Sequence, residues 1–378
     1  MSLTISHYSA LEVTRLLRCK GVDISAADAV PLRRPTSWLG KQLSKKAFDA
    51  SAWKWPKPSA KKHLNILIPG HSGRVRATNI EVHSSFSDLP ARSILWLDEH
   101  ASVVCPELLF LQLAEVLEFP QLVLLGHELC GYFSRCAEDP LKGDVIDHVS
   151  PAATVESIGA YLDRFSHRHG VAHAREALQY VSDGALSAPE SVLATMYALP
   201  ASEGGYDMGP VTLNARIGMC ASEEERRVAK ARYPDLLFSF AKIGLNYDGE
   251  GHLDLDGLLQ VARTLEHADA KERSEAEAEL LNKKREVRNK VLDDNLRNMQ
   301  LASRGYIVFP ITKEDLYGDG SLDAVTRCLL GCAHEVFGVD VTPYEAILDD
   351  TAKTRSRNGI VRSLLPNEGP WGASYGKL

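Results

Sequence analysis

Apolar and polar positions alternate in blocks along the chain, and the blocks predict different elements. A short helical pattern opens at Ser9-Ala-Leu-Glu-Val-Thr-Arg-Leu-Leu-Arg18, and a Pro-, Trp- and Lys-containing stretch follows, including Trp53-Lys-Trp-Pro-Lys-Pro58. Together they predict a small helical module over residues 1–60, either DNA-binding-like or an arm packed on the next domain. From His63 the period changes. Leu64-Asn-Ile-Leu-Ile68 and Asn79-Ile-Glu-Val-His83 read as two strands around a Gly-rich turn, and Ser102-Val-Val-Cys105 as a third. A buried helix is expected over residues 106–117, with Pro106 in its first turn and Glu107 near its positive end. The apolar run continues through Leu122-Val-Leu-Leu125 to Gly126. Residues 137–150 read as a loop. Residues 154–180 read as one or two helices broken at His169-Gly170. The expected divisions are an α+β middle domain over 61–150 and a helical connector over 151–185.

The second half alternates more regularly. A helix is expected from Ser187 to about Ala198, a strand over 212–219, two apolar strands over 235–240 and 243–247 joined at Ala241-Lys242, a long charged helix over 268–303, and a last strand over 306–311. Thr312 reads as the N-cap of a further helix. The order is helix, three strands, helix, strand, helix. The fold class expected is α/β, with a second domain over 186–338 and a tail over 339–378. The charge-dense run from Lys271 to Arg288 reads as a solvated helix face.

Length and composition change this picture little. The chain of 378 residues suits two or three domains, and 44% hydrophobic with 25% charged residues is ordinary for a globular protein. A net charge of −7 argues against a strongly basic coat for nucleic acid but leaves room for a local basic groove. Seven scattered cysteines with no Cys-x-x-Cys pair point to a reducing, cytoplasmic setting, and Cys328 with Cys332 to a buried helix face. No signal segment and no membrane-spanning apolar window is expected.

Candidate chemistry gathers between residues 234 and 252. Asp235 opens one predicted strand, and Asn246, Tyr247 and Asp248 end its neighbour. The short connection sets these ends side by side, so Asp235 and Asp248 are expected to converge. Two carboxylates with backbone oxygen suit Mg2+, which takes hard oxygen ligands. Gly249 and Gly251 allow a sharp turn, and His252 just beyond is a candidate proton carrier. Each residue also has a plain reading: Asp248-Gly249 is a common turn pair, and Ser187-Ala-Pro-Glu190 fits a capping box. In His167-Arg-His169-Gly-Val-Ala-His173, His169 and His173 have zinc spacing, but Gly170 interrupts it and an exposed helix is preferred. In the tail, Arg355, Arg357 and Arg362 are possible phosphate contacts, with a plain ordered or frayed tail as the alternative.

At these residues the chain resembles the very-short-patch-repair-like branch of the PD-(D/E)XK endonuclease superfamily, in particular uncharacterised actinobacterial members. The matching pieces are Ser187-Ala-Pro-Glu190-Ser191, Pro234-Asp235, Asn246-Tyr247-Asp248-Gly249-Glu250-Gly251-His252, Arg297-Asn298-Met-Gln-Leu301-Ala-Ser-Arg-Gly305-Tyr306, and Thr312-Lys-Glu-Asp315-Leu316. The resemblance implies a restriction-endonuclease-like αβββαβ core preceded by a mixed α+β region. It implies Glu190 as a helix carboxylate that also faces the metal, Asp235 as the metal-binding Asp, the Tyr247 carbonyl and Asn246 as further ligands, and Asp248 where most members carry Lys. His252 is the implied proton shuttle, and Arg297 and Lys242 are the candidate nucleic-acid contacts. Residues 1–180 resemble AbiEi-type antitoxins in layout. Two positions depart from the pattern: Asn246 stands for the usual Glu and Asn298 for the usual Asp. A charged insertion also separates His252 from the Arg297 helix.

The expected function is a Mg2+-dependent DNA endonuclease, a phosphodiester hydrolase of phage defence or repair. The alternative is a non-catalytic DNA-binding, antitoxin-like transcriptional regulator that keeps a degenerate nuclease fold. DNA is the expected partner, with a partner toxin or a second copy of the chain as further possibilities and no membrane.

Overall fold

The computed structural model describes residues 3–33, 54–55, 58–70, 79–85, 88–135, 145–166, 168–218, 231–248 and 270–364. The protein is a mixed α/β structure, and its contacts divide it into two units, Met1–Pro210 with Gly359–Leu378, and Val211–Asn358.

The first unit is organised on a five-stranded mixed sheet. Its strands are β1 (Leu3–Ile5), β2 (Leu64–Pro69), β3 (Ile80–Ser85), β4 (Ile94–Trp96) and β5 (Ala101–Val104), in the order β3-β2-β1-β5-β4. β1 lies in the middle, antiparallel to β2 and parallel to β5. The N-terminus therefore supplies the central strand, and the helix that follows it, α1 (His7–Cys19), shares the core of the sheet; it does not stand as a module of its own. β2 and β3 pair in parallel and do not form a hairpin.

The apolar run after Cys105 is two helices, α2 (Pro106–Leu113) and α3 (Phe119–Cys130). Pro106 and Pro120 each sit in a first turn, where the missing N–H costs nothing, so the second proline starts a new helix and α2 stops short of residue 117. Residues read as loop include a strand: β7 (Val145–Asp147) pairs antiparallel with β6 (Phe133–Arg135). Helices α4 (Val155–Leu162) and α5 (Val171–Leu178) break at Gly170, whose φ of 78° a side chain would resist. Their apolar faces, including Ile158, Leu162, Val171 and Ala174, belong to the same core as the sheet. The unit's last helix is α6 (Ala188–Ala198).

Charges are buried in this unit as well. Arg15 on α1 donates from Nε (2.8 Å) and Nη2 (2.7 Å) to the two oxygens of Glu128 on α3. Arg18 donates to the carbonyls of Glu128, Gly131 and Ser150. A forked guanidinium satisfies several acceptors at once, as a buried pair requires.

The second unit carries a four-stranded sheet in the order β13-β12-β11-β8. The strands are β8 (Val211–Leu213), β11 (Leu236–Phe238), β12 (Ile243–Asp248) and β13 (Ile307–Thr312), with a two-stranded ladder of β9 (Ile217–Gly218) and β10 (Ala231–Arg232) beside them. β11 is antiparallel to β8 and β12, whereas β12 and β13 are parallel. The single strand expected over 212–219 is broken, because Asn214 takes a left-handed φ of 48° and directs its N–H to the Asp235 carbonyl (3.0 Å).

Helix α7 (Ala270–Ser303) links the antiparallel strands to β13. Over residues 277–288 its side chains are mostly exposed, as a solvated charged face requires. Its far end is anchored where Leu301 is fully buried with Ile217, Leu237, Tyr306 and Val308, and where Arg232 donates to Gln300 (2.7 Å) and Asp293 (3.0 Å). The helices α8 (Lys313–Tyr317), α9 (Ser321–Phe337), α10 (Thr342–Leu348) and α11 (Thr351–Leu364) follow.

Two expectations for this region change. The buried stripe of α9 runs through Leu322, Thr326, Leu329, Leu330 and Ala333, so Cys328 is exposed and Cys332 only half-buried. Arg357 in the predicted tail is no phosphate contact. It is 1% exposed, and its Nε and Nη2 donate to the two oxygens of Asp323 at 2.7 and 2.6 Å.

Candidate functional site

The candidate site grows from the β11–β12 hairpin. The register sets Leu236 opposite Leu245, so Asp235, just before β11, falls opposite Asn246. Cross-strand partners share a face, and so do residues two apart on one strand. Asp235, Asn246 and Asp248 are therefore placed on one face of the sheet. Two hydrogen bonds fix the corner: the Asp235 N–H donates to Asn246 Oδ1 (3.2 Å), and the Tyr247 N–H donates to Asp235 Oδ2 (2.6 Å). Asn246 is buried, and Asp248 lies opposite Thr312 of β13. Thr312 and Asp315 close a capping box on α8 at the end of β13.

Glu190 belongs to the first unit, where its role is a cap: Oε1 accepts from the Ser187 hydroxyl (2.8 Å), Oε2 accepts from the Leu186 N–H (3.0 Å), and the Glu190 N–H donates to Ser187 Oγ (3.4 Å). His252, Gly249 and Gly251 lie outside the described residues. Arg297 on α7 faces Asp294 at 3.1 Å, and among the described residues its buried Nε has no acceptor. Lys242 sits in the hairpin turn, donates to the Arg304 carbonyl (3.4 Å) and lies 5.4 Å over the Tyr306 ring.

As metal donors, Asp235 and Asp248 are hard oxygen ligands. Asn246 Oδ1 accepts from the Asp235 N–H (3.2 Å) and holds the corner. Among the described residues no group of three or more His, Cys, Asp or Glu is placed to hold a metal ion. Asp235 and Asp248 share one face of the hairpin, and Mg2+ is an ion that keeps several waters and commonly takes only one or two carboxylates. The zinc spacing of His169 and His173 is lost, since α5 begins at Val171 and Gly170 turns the chain between them.

One cluster escaped the sequence pattern. In the first unit His7 and His83 stack with ring centroids 3.5 Å apart, beside Gln112 and Arg168. These residues come from four separate segments, and no local spacing marks them.

No protein-family model, curated protein or solved structure matches this chain. Among the described residues no helix is long and apolar enough to cross a membrane.

Proposed function

We propose that the second unit is a metal-dependent endonuclease-like domain of the PD-(D/E)XK type that acts on DNA with Mg2+. The observation that carries the reading is the corner in which Asp235, Asn246 and Asp248 share one face of the β11–β12 hairpin and Tyr247 N–H orients the Asp235 carboxylate. The strand order adds support. Three antiparallel strands, then helix α7 and a parallel fourth strand follow the ββ βαβ order of such a core, with α6 just ahead in sequence.

Asp235 and Asp248, with the Tyr247 carbonyl, would hold the ion. Mg2+ in such a place lowers the pKa of a bound water and offsets charge on a phosphate. The chain's own contribution is orientation. The Tyr247 N–H fixes one oxygen of Asp235, and the Asn246 amide fixes its backbone. Lys242 and Arg297 are the proposed phosphate contacts, and His252 the proposed proton carrier. By their resemblance in layout, residues 1–180 are assigned to an AbiEi-antitoxin-like region, with a toxin protein or a second copy of the chain as possible further partners.

One observation favours a second reading, a DNA-binding regulator without turnover. An amide stands at position 246 where the motif carries an acid, and its oxygen is already used within the corner. Incubation of supercoiled plasmid and mismatched duplex with Mg2+ or Mn2+ separates the two readings. The endonuclease reading expects metal-dependent cleavage that Asp235→Ala abolishes. DNA binding with no cleavage under either metal establishes the regulator instead.

A further inference from the structure

Helix α7 has 34 residues, which makes it about 50 Å long at a rise of roughly 1.5 Å per residue. The six-residue strand β13 that it packs against spans only about 20 Å. Its anchors Asp293, Gln300 and Leu301 all lie toward its C-terminal end. The rest of the helix runs on past the small sheet. Helices in water owe most of their stability to an apolar face packed on something. A helical pattern longer than about 25 residues is a mark of a coiled coil.

The two sides of α7 differ. Ala276 and Leu301 are buried, and Leu280, Val287 and Arg297 are half-buried. Steps of three and four residues place these on one side of the helix. Leu281, Leu292 and Met299 fall together on the opposite side, where they are 64%, 55% and 63% exposed. Leu281 is the most exposed large apolar side chain among the described residues. A single exposed apolar residue needs no explanation, but three aligned along one face of a long helix mark a surface that meets another.

The charges on that face say what it meets. Glu277 precedes Leu281 by one turn, Lys284 and Arg285 follow it by one, and Arg288 follows by two; all four are exposed. The face is therefore acidic on one side of Leu281 and basic on the other. Glu277 makes one long ion pair within its own helix, to Arg273 at 3.9 Å, with both side chains open to water. A parallel pairing of two copies would set Lys284, Arg285 and Arg288 against themselves. An antiparallel pairing that crosses at Leu281 reverses the order of the charges in one copy. Glu277 of each copy then comes level with Lys284 and Arg285 of the other, and the two-fold axis makes the contact twice.

We propose that the exposed face of α7 is a self-association surface, on which a second copy of this chain docks its own α7 antiparallel, with Leu281 against Leu281 and Glu277 against Lys284 and Arg285. The apolar centre supplies attraction, and the flanking charges set direction and partner. The proposal rests on this helix alone and is independent of the metal corner at Asp235.

Sedimentation velocity of the full chain at rising concentration tests it. The wild type should sediment as a dimer at micromolar concentration, and added salt should weaken the dimer. Leu281→Glu should weaken association at least ten-fold, with a circular dichroism spectrum like that of the wild type because the position is exposed. Glu277→Lys and Lys284→Glu should each self-associate at least ten-fold more weakly than the wild type. Mixed together, these two variants should pair, since each then meets the opposite charge. A wild type that stays monomeric throughout the micromolar range overturns the proposal. So does a dimer that Leu281→Glu leaves unchanged, or a mixture of the two charge variants that associates no better than either alone. A monomeric wild type whose affinity for duplex DNA falls in Lys284→Glu overturns it too, and assigns the face to nucleic acid.

Discussion

The backbone N–H of Tyr247 donates to the carboxylate of Asp235 across the β11–β12 hairpin at 2.6 Å. This bond joins the two chain segments that bring Asp235 and Asp248 onto one face. It also orients the first carboxylate without using a side chain. A carboxylate held this way is preorganised for a cation, since little further ordering is needed when the ion arrives.

Position 246 offers a direct probe of that corner. Asn246→Asp keeps an acceptor for the Asp235 N–H and adds a third negative charge at a site 3% exposed. Without metal, the added charge should cost more than about 3 kcal/mol, because an unsatisfied buried charge is penalised beyond a neutral group. Mg2+ should restore much of it and bind more tightly than in the wild type. Thermal melts with and without Mg2+ check this; a variant whose melting temperature ignores Mg2+ shows that no ion binds there.

Buried ion pairs should dominate the mutational sensitivity of each unit. Arg15 and Glu128, 113 residues apart in sequence, are 4% and 3% exposed in their side chains. Arg15→Met leaves a buried carboxylate without its main partner and should cost about 3–5 kcal/mol. The double variant with Glu128→Leu should cost clearly less than the sum of the singles. Urea unfolding of the four proteins measures the coupling, and strict additivity would deny the pair its role.

In the second unit the equivalent pair is Arg357 with Asp323, closed by the Thr354 hydroxyl donating to the same carboxylate at 2.6 Å. Arg357→Met should destabilise by about 3–5 kcal/mol while leaving DNA affinity unchanged in any variant that remains folded. Loss of DNA affinity by a stable Arg357→Met protein would restore the phosphate-contact reading.

Acid should weaken the first unit in two successive windows. Burial holds His127 down to about 4 despite hydrogen bonds that favour its protonation. The unfolded chain therefore takes up that proton first, so stability is complete above the ordinary value of 6.5 and drains as pH falls toward 4. For Glu128, burial favours the neutral acid, but the charge and hydrogen bonds of Arg15 prevail and hold the carboxyl at about 2. Its contribution is complete above 4.5 and is lost as pH falls toward 2. Unfolding midpoints from pH 7.5 to 2.5 should decline through both windows. His127→Asn should flatten the first and leave the second; an unchanged slope between 6.5 and 4 would contradict the assignment.

Much of this was legible in the chain. The hairpin, the long charged helix, the Thr312 cap and the break at Gly170 all rest on local rules, and all appear. What the sequence hid is long-range. Leu3–Ile5 is too short to announce a strand, yet it becomes the middle of a sheet through partners some 60 and 100 residues away. Asn214 interrupts a strand-like run through a single backbone angle. The Ser187–Glu190 pattern fits both a cap and a catalytic carboxylate, and only the hydrogen bonds show the cap in place. The clustered residues His7, His83, Gln112 and Arg168 share no spacing at all.

The most direct test is a single-turnover cleavage assay on mismatched duplex DNA with Mg2+, comparing wild type with Asp235→Asn and Asp248→Asn. Both substitutions preserve shape and remove one charge from the hairpin face. The wild type should cleave, and both variants should lose at least a hundred-fold in rate with DNA binding retained. Cleavage unchanged in both variants would contradict this.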